Sequence, residues 1–97
     1  MRSVIWHPLA LEELHEAAAA YKLQRKGRDE RFLSAAEQTV GLLERFPLLG
    51  KSVHRGHRGL VVHRFPYSVI YRVRPKSLQV VAIAHHKQKP TYWAGRA

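Results

Sequence analysis

The chain has 97 residues, of which 45% are apolar and 25% are charged, and these values fit a single globular domain over residues 1–97. No apolar run approaches the roughly 20 residues that span a bilayer, and the N-terminal segment lacks a signal-peptide pattern. The absence of cysteine excludes disulfides and thiolate metal ligands, and it fits a cytoplasmic protein.

The positive charge is confined to one half of the chain. Residues 1–50 carry seven basic and seven acidic side chains, whereas residues 51–97 carry ten Lys and Arg, five His and no acid. The second half therefore holds the whole formal charge of +10. Such a segment attracts a polyanion, which can be a nucleic acid, an anionic membrane or an acidic protein.

The first half predicts a strand and two helices. Residues 2–6 are β-branched and aromatic, which predicts a strand, and Pro8 at the first helical position begins a helix over 8–26. After a turn at Gly27 and Arg28, a second apolar stripe predicts a helix over 29–45. The short turn makes the two helices a hairpin, and both apolar stripes then need a sheet to cover.

The second half predicts that sheet. Residues 60–65, 68–73 and 78–85 are rich in β-branched residues, and short links between them predict antiparallel hairpins. Residues 47–59 hold three glycines and predict a long exposed loop, and two aromatic residues in the tail after Pro90 predict that it packs back onto the domain. The fold class is therefore α+β, in the order β-α-α-β-β-β, with a helix hairpin on a mostly antiparallel sheet.

Basic side chains in the loop, in the strands and after them are the first candidate site. Flexible cations beside a sheet commonly hold phosphates, although single ones also protect strand edges from aggregation. The residues predicted to contact the target or a nucleic acid are Lys51, Arg55, Arg58, Arg64, Arg72, Lys87 and Lys89.

His85 and His86, at the end of the last strand, are the second candidate. Neighbouring strand residues point to opposite faces, so one histidine should follow Val81 and Ile83 while the other follows Ala82 and Ala84.

A histidine can act as general acid or base on RNA, or it can be structural. We predict no metal and no cofactor, because the His-rich half has no carboxylate and no nucleotide-binding glycine loop. A Ser-His-Asp triad is excluded for the same lack of an acid.

Four segments carry a resemblance to a known family. They are VIWHPLALEEL, RFLSAAEQTVGLLERFPLLGK, HRFPYSVIYRV and VVAIAHHKQKPTYW, and they resemble the RelE/ParE superfamily of bacterial toxins, which includes plasmid stabilisation proteins. The resemblance implies a small β-α-α-β-β-β domain that is the toxin of a type II toxin–antitoxin module. It also implies that growth inhibition is relieved by a cognate antitoxin.

The superfamily divides into two activities. One branch cleaves messenger RNA on the ribosome without a metal, and the other inhibits DNA gyrase. In the resemblance to the ribonuclease branch, His86 falls at the catalytic-type histidine, but Ser68 replaces an arginine and Lys87 replaces a tyrosine. The catalytic residues of a ribonuclease would then be His86, Arg64, Arg72 and Lys87. The Ala-x-Ala-His-x-Lys pattern from residue 82 is closer to the gyrase-inhibiting branch, which we favour.

The expected partner is an acidic antitoxin that covers the basic half of the chain and mediates oligomer formation. Its predicted contacts are Leu11, Tyr21, Arg64 and Arg72. A nucleic-acid-binding module without toxicity is the remaining alternative, although the sheet offers only Tyr67 and Tyr71 as an obvious stacking pair.

Overall fold

A helical hairpin packs against one face of a five-stranded sheet in the computed structural model, which describes residues 2–96. The elements are β1 (Ser3–Trp6), α1 (Pro8–Gln24), α2 (Arg28–Arg45), β2 (Lys51–His54), β3 (His57–Val61), β4 (Tyr67–Val73) and β5 (Ser77–His85). The α+β class and the helix hairpin are confirmed, and the sheet gains one strand over the expected number.

Local chemistry fixes the start of α1. The Nδ1 atom of His7 accepts a hydrogen bond from the N–H of Leu9 at 3.1 Å, and Pro8 occupies the first turn, where its missing N–H costs nothing. The buried residues of this helix are Ala10, Ala17, Ala18 and Tyr21. Three of them are alanines, so α1 can approach the sheet closely.

The second helix follows after three residues. Gly27 has a φ of 87°, in the left-handed region that glycine adopts without steric cost, and α2 starts directly after it. The buried apolar residues of α2 are Phe32, Ala36, Val40 and Leu43, which confirms the predicted stripe. An αα-hairpin with one shared apolar face results.

The sheet is mixed, with the strand order β1-β5-β4-β3-β2. Only the β1–β5 pair is parallel, and the other three pairs are antiparallel. The register between β4 and β5 shifts after Ile70, because Ile70 pairs with Ala82 whereas Tyr71 pairs with Val80. Val81 is therefore the extra residue of a β-bulge.

The prediction of a long loop over residues 47–59 is wrong for most of that segment, because β2 and β3 form a hairpin there. Its two-residue turn is Arg55-Gly56, with φ values of 44° and 79°, and positive φ at both positions suits the twist of a tight hairpin. The predicted strand at 60–65 is also displaced, since β3 ends at Val61 and a turn follows. All but one side chain of β2 are exposed, so the sequence shows no alternation that would reveal the strand.

The C-terminal tail packs back onto the domain, as predicted. Trp93 is 4% exposed and packs with Ile70, Val81 and Ala82 on the face of the sheet away from the helices. The ring of His57 lies 4.7 Å from the ring of Trp93, centre to centre. The tail thereby supplies the apolar cover that the second face of the sheet needs.

Candidate functional site

The two histidines at the end of β5 point to opposite faces of the sheet, as predicted. The side chain of His86 is exposed and lies 2.9 Å from the Oγ of Ser68. His85 instead packs edge-on against the ring of Tyr67 at 4.9 Å, and its Nδ1 accepts a hydrogen bond from the N–H of Lys87 at 3.0 Å. The two rings therefore cannot act together on one ligand. The expected alternation fails only at Val81, which the β-bulge turns toward Trp93.

The structure separates Arg72 from His86, but Lys87 follows His86 directly, and the β3–β4 turn that carries Arg64 lies beside it, because the His86 N–H donates to the Pro66 carbonyl at 2.9 Å. Arg72 lies four positions beyond Ser68 on β4, about 13 Å along the strand, and pairs with Gln79 of β5. Arg64 lies in the β3–β4 turn, where its Nε donates to the Nε2 of His63 at 3.3 Å. Within residues 2–96, no arginine or lysine side chain makes a hydrogen bond to His86 or Ser68.

The predicted target-binding cations differ in their exposure and in their hydrogen bonds within the protein. Lys51, Arg55, Lys87 and Lys89 are exposed. Arg58 is half-buried, and its guanidinium donates to the carbonyl of Gly50 at 2.8 Å.

Gly50 is also held by Tyr71, whose hydroxyl accepts from the Gly50 N–H at 2.9 Å and donates to the carbonyl of Pro47 at 2.7 Å. Arg58 and Tyr71 together anchor the β2–β3 hairpin, and burial raises the pKa of Tyr71.

Leu11, a predicted antitoxin contact, lies at an exposed apolar groove. It is 43% exposed, and the groove has a volume of about 370 Å³. The groove runs between α1, α2 and β1, and its apolar lining is Val4, Trp6, Leu11, Leu14, Leu33, Ala36 and Val40. This position fits the predicted contact of Leu11 with a partner protein.

Tyr21, the other predicted antitoxin contact on α1, packs its ring in the core. It is 7% exposed, and its ring lies 5.3 Å from that of Phe32 and 5.1 Å from that of Phe65. Desolvation by burial raises the pKa of its hydroxyl, and the nearby charge of Arg28 opposes this shift.

The sequence did not predict a basic pocket that lies at the α1–α2 turn. It has a volume of about 360 Å³ and is lined by Arg25, Arg28, Arg31, Ala35, His63, Arg64 and Phe65. Three of its arginines come from residues 1–50, whose net charge is zero, so the net charge of that half gave no indication of them. Their clustering across the α1–α2 turn is the signal that could have pointed to them.

The carboxylate of Glu13 joins α1 to the tail. It pairs with Arg96 at 2.8 Å, accepts from the hydroxyl of Tyr92 at 2.8 Å and accepts from the N–H of Ile83 at 3.0 Å. That N–H is free for Glu13 because β1 pairs with β5 only as far as Val80. Burial and the hydrogen bond to Glu13 raise the pKa of Tyr92, while the hydrogen bond to Glu13 raises that of Arg96.

Residues 2–96 contain no cluster of three or more His, Asp or Glu side chains arranged to hold a metal ion. Neither helix described in this range combines the length and the apolar composition that crossing a bilayer requires.

Comparison with known proteins identifies the family. Residues 4–90 match the model of the ParE toxin of the type II toxin–antitoxin system parDE. Among solved structures, the chain is similar to one described as the chromosomal ParDE TA system from P. aeruginosa, with a TM-score of 0.67 and 25% sequence identity, over 88% of this chain and 96% of that chain. No curated protein matches. The match confirms the resemblance seen in the sequence, and the chain belongs to the family of ParE toxins of type II toxin–antitoxin systems.

Proposed function

We propose that this chain is a growth-inhibiting toxin that acts on DNA gyrase in the cytoplasm and is neutralised by a cognate acidic antitoxin. The family supports the class of function. The observation that favours gyrase over messenger RNA is the separation of Arg72 from His86, since Arg72 lies about 13 Å along the strand from Ser68, which contacts the His86 ring. Cleavage of RNA needs cations held around the scissile phosphate in addition to a general base.

Expression of the chain without its antitoxin tests this proposal. We expect growth arrest with a DNA-damage response, and we expect His86→Ala to remain toxic because no catalytic base is required. His15→Ala is the matched control, since His15 is also exposed but lies on α1. Translation-dependent cuts in cellular messages that disappear in His86→Ala would overturn the gyrase proposal.

Ribosome-dependent cleavage of messenger RNA, without a metal, is the second candidate. Two features favour it: the exposed ring of His86, and the 2.9 Å contact of that ring with Ser68, which holds it at the end of the sheet. Removal of a general acid or base typically costs about 10² to 10⁴ in rate, so His86→Ala should then abolish toxicity.

A chain that binds DNA with a steep salt dependence and never arrests growth would instead be a non-toxic nucleic-acid-binding module.

The antitoxin contact is supported by the apolar groove around Leu11, which fits one face of an amphipathic segment. Leu11→Ser should weaken the complex about tenfold or more, because burial of a leucine contributes about 1.5–3 kcal/mol. Leu23→Ser is the matched control on the same helix, since Leu23 is 90% exposed and does not line the groove. Equal affinity of the two variants for the co-expressed antitoxin, measured by calorimetry, would contradict the assignment of the groove.

A further inference from the structure

We propose that the basic pocket between the α1–α2 turn and the β3–β4 turn binds the phosphate of a nucleotide unit, with the base or sugar against its apolar wall. We name this pocket the arginine pocket and define it by Arg25, Arg28, Arg31, Ala35, His63, Arg64 and Phe65. Its volume of about 360 Å³ lies in the range of small-ligand sites. The proposal goes beyond the choice of gyrase or messenger RNA as target, because it concerns a pocket whose lining includes neither His86 nor Ser68.

The charge of the pocket is not neutralised by the protein itself. Among the described residues, no acidic side chain lines it, although Asp29 and Glu30 belong to the first turn of α2. Within residues 2–96, the only ion pair between a basic side chain and a carboxylate joins Arg96 to Glu13. Four guanidinium groups therefore face one cavity without a counter-charge, and a bound anion would relieve their repulsion.

One arginine of the pocket, Arg28, is also held in position before any ligand arrives. The guanidinium of Arg28 lies over the ring of Tyr21, 5.0 Å from its centre, and 6.0 Å from the centre of Phe65. Its Nε is buried and has no hydrogen-bond acceptor, which is a cost that few native groups carry without a functional reason. Such stacking reduces the entropy that a flexible side chain loses when it binds a ligand.

Arg64 adopts a backbone conformation that is unusual for its residue type. Its φ is 70°, in the left-handed region, where a residue with a Cβ is strained by about 1–2 kcal/mol. The turn is closed by the Val62 N–H donating to the Tyr67 carbonyl at 2.8 Å and by the Phe65 N–H donating to the Val62 carbonyl at 3.0 Å. Strain of this kind is retained where the surrounding structure needs a side chain in one place.

The number of arginines favours a phosphate over a carboxylate. A carboxylate offers two oxygens, which one arginine can bind in a bidentate manner, whereas a phosphate offers more acceptor oxygens and engages several guanidinium groups at once. The remaining wall, formed by Phe65 and Ala35, is apolar and suits the face of a nucleobase. A free nucleotide and a nucleotide within a DNA strand share this chemistry.

Binding to the purified full chain tests the proposal with two probes, AMP and a labelled single-stranded DNA oligonucleotide. The test variant combines Arg31→Met and Arg64→Met, both at exposed positions, and the charge-matched control combines Arg74→Met and Lys76→Met in the β4–β5 turn. We expect the test variant to lose about tenfold or more in affinity per arginine, and the control to lose only the small uniform effect of two missing charges. Matching melting temperatures of the two variants would show that folding is not the cause.

The outcomes separate the sources of the phosphate. Arginine-dependent binding of AMP would indicate a free nucleotide, and arginine-dependent binding of the oligonucleotide alone would indicate a nucleic-acid strand. The proposal is overturned if neither probe binds, or if the control variant loses as much affinity as the test variant. It is also overturned if a peptide of alternating Glu and Leu binds the pocket while neither phosphate probe does, which would assign the site to an acidic protein. Because each readout is binding in vitro, none of these results depends on whether the chain is toxic.

Discussion

A single carboxylate holds the tail in place, and its loss should be felt in the stability of the whole chain. Glu13 accepts hydrogen bonds from Tyr92, Arg96 and the Ile83 N–H, and the side chains of Arg96 and Glu13 are 13% and 18% exposed. Glu13→Gln keeps the size but removes the charge, so we expect a loss of about 1–3 kcal/mol in the free energy of unfolding, measured with urea. Glu12→Gln is the control, since Glu12 is exposed on the same helix. Equal stability of both variants would contradict a structural role for the Glu13 network.

The tyrosines should make the fold sensitive to high pH. All four have a raised pKa with burial as the largest cause, and they are Tyr21, Tyr67, Tyr71 and Tyr92. A raised pKa keeps the folded form protonated while the unfolded chain ionises at its ordinary value of 10.0. The contribution of these hydroxyls to the free energy of unfolding is therefore fully present below that pH and is lost as the pH rises above it.

Phenolate absorbance followed together with circular dichroism checks the expectation. The two signals should change in one transition above pH 10.0, because the hydroxyls ionise mainly when the chain unfolds. Tyrosines that titrate at their ordinary pKa while the helical signal persists would show that burial does not govern them.

At the scale of elements, the β2–β3 hairpin depends on a close approach that only glycine allows. A Cβ on Gly50 would lie 2.5 Å from the hydroxyl oxygen of Tyr71, so Gly50→Ala must displace the ring or the strand. Gly41 lies within α2, and a Cβ at this position would have no neighbouring atom within 4 Å, so Gly41→Ala should stabilise the helix by about 0.5–1 kcal/mol. We expect opposite shifts in the midpoint of urea unfolding for the two variants. An unchanged unfolding midpoint in Gly50→Ala would mean that the Tyr71 ring can move aside without loss of stability.

The sequence predicts those elements whose side chains show a clear period. The stripe of Phe32, Ala36, Val40 and Leu43 locates α2, and β-branched runs locate β4 and β5. It does not predict β2, because the mostly exposed side chains of this strand show no alternation of apolar and polar residues. The sequence also predicts that the side chains of His85 and His86 point to opposite faces of the sheet, since this alternation depends only on backbone geometry.

Features that need contacts distant in the chain could not be predicted. The arginine pocket combines the helix turn with a turn between two strands more than 30 residues later, and the Glu13–Arg96 pair spans 83 residues. Neither leaves a local pattern in the sequence. The placement of Tyr21 in the core depends likewise on Phe65, which reaches it from another element.

The whole molecule carries a net charge of +10 on a small domain, whose radius of gyration is 12.8 Å. At about 0.01 M salt the screening length is about 30 Å, so charges repel across the entire domain, whereas at about 0.15 M it falls to about 8 Å. We therefore expect the melting temperature of the isolated chain to rise as sodium chloride increases over this range. A variant with Lys51→Gln, Lys76→Gln and Lys87→Gln, all at exposed positions, should show a smaller rise. A melting temperature that falls with salt, or an equal rise in both proteins, would show that self-repulsion does not limit the stability of the free toxin.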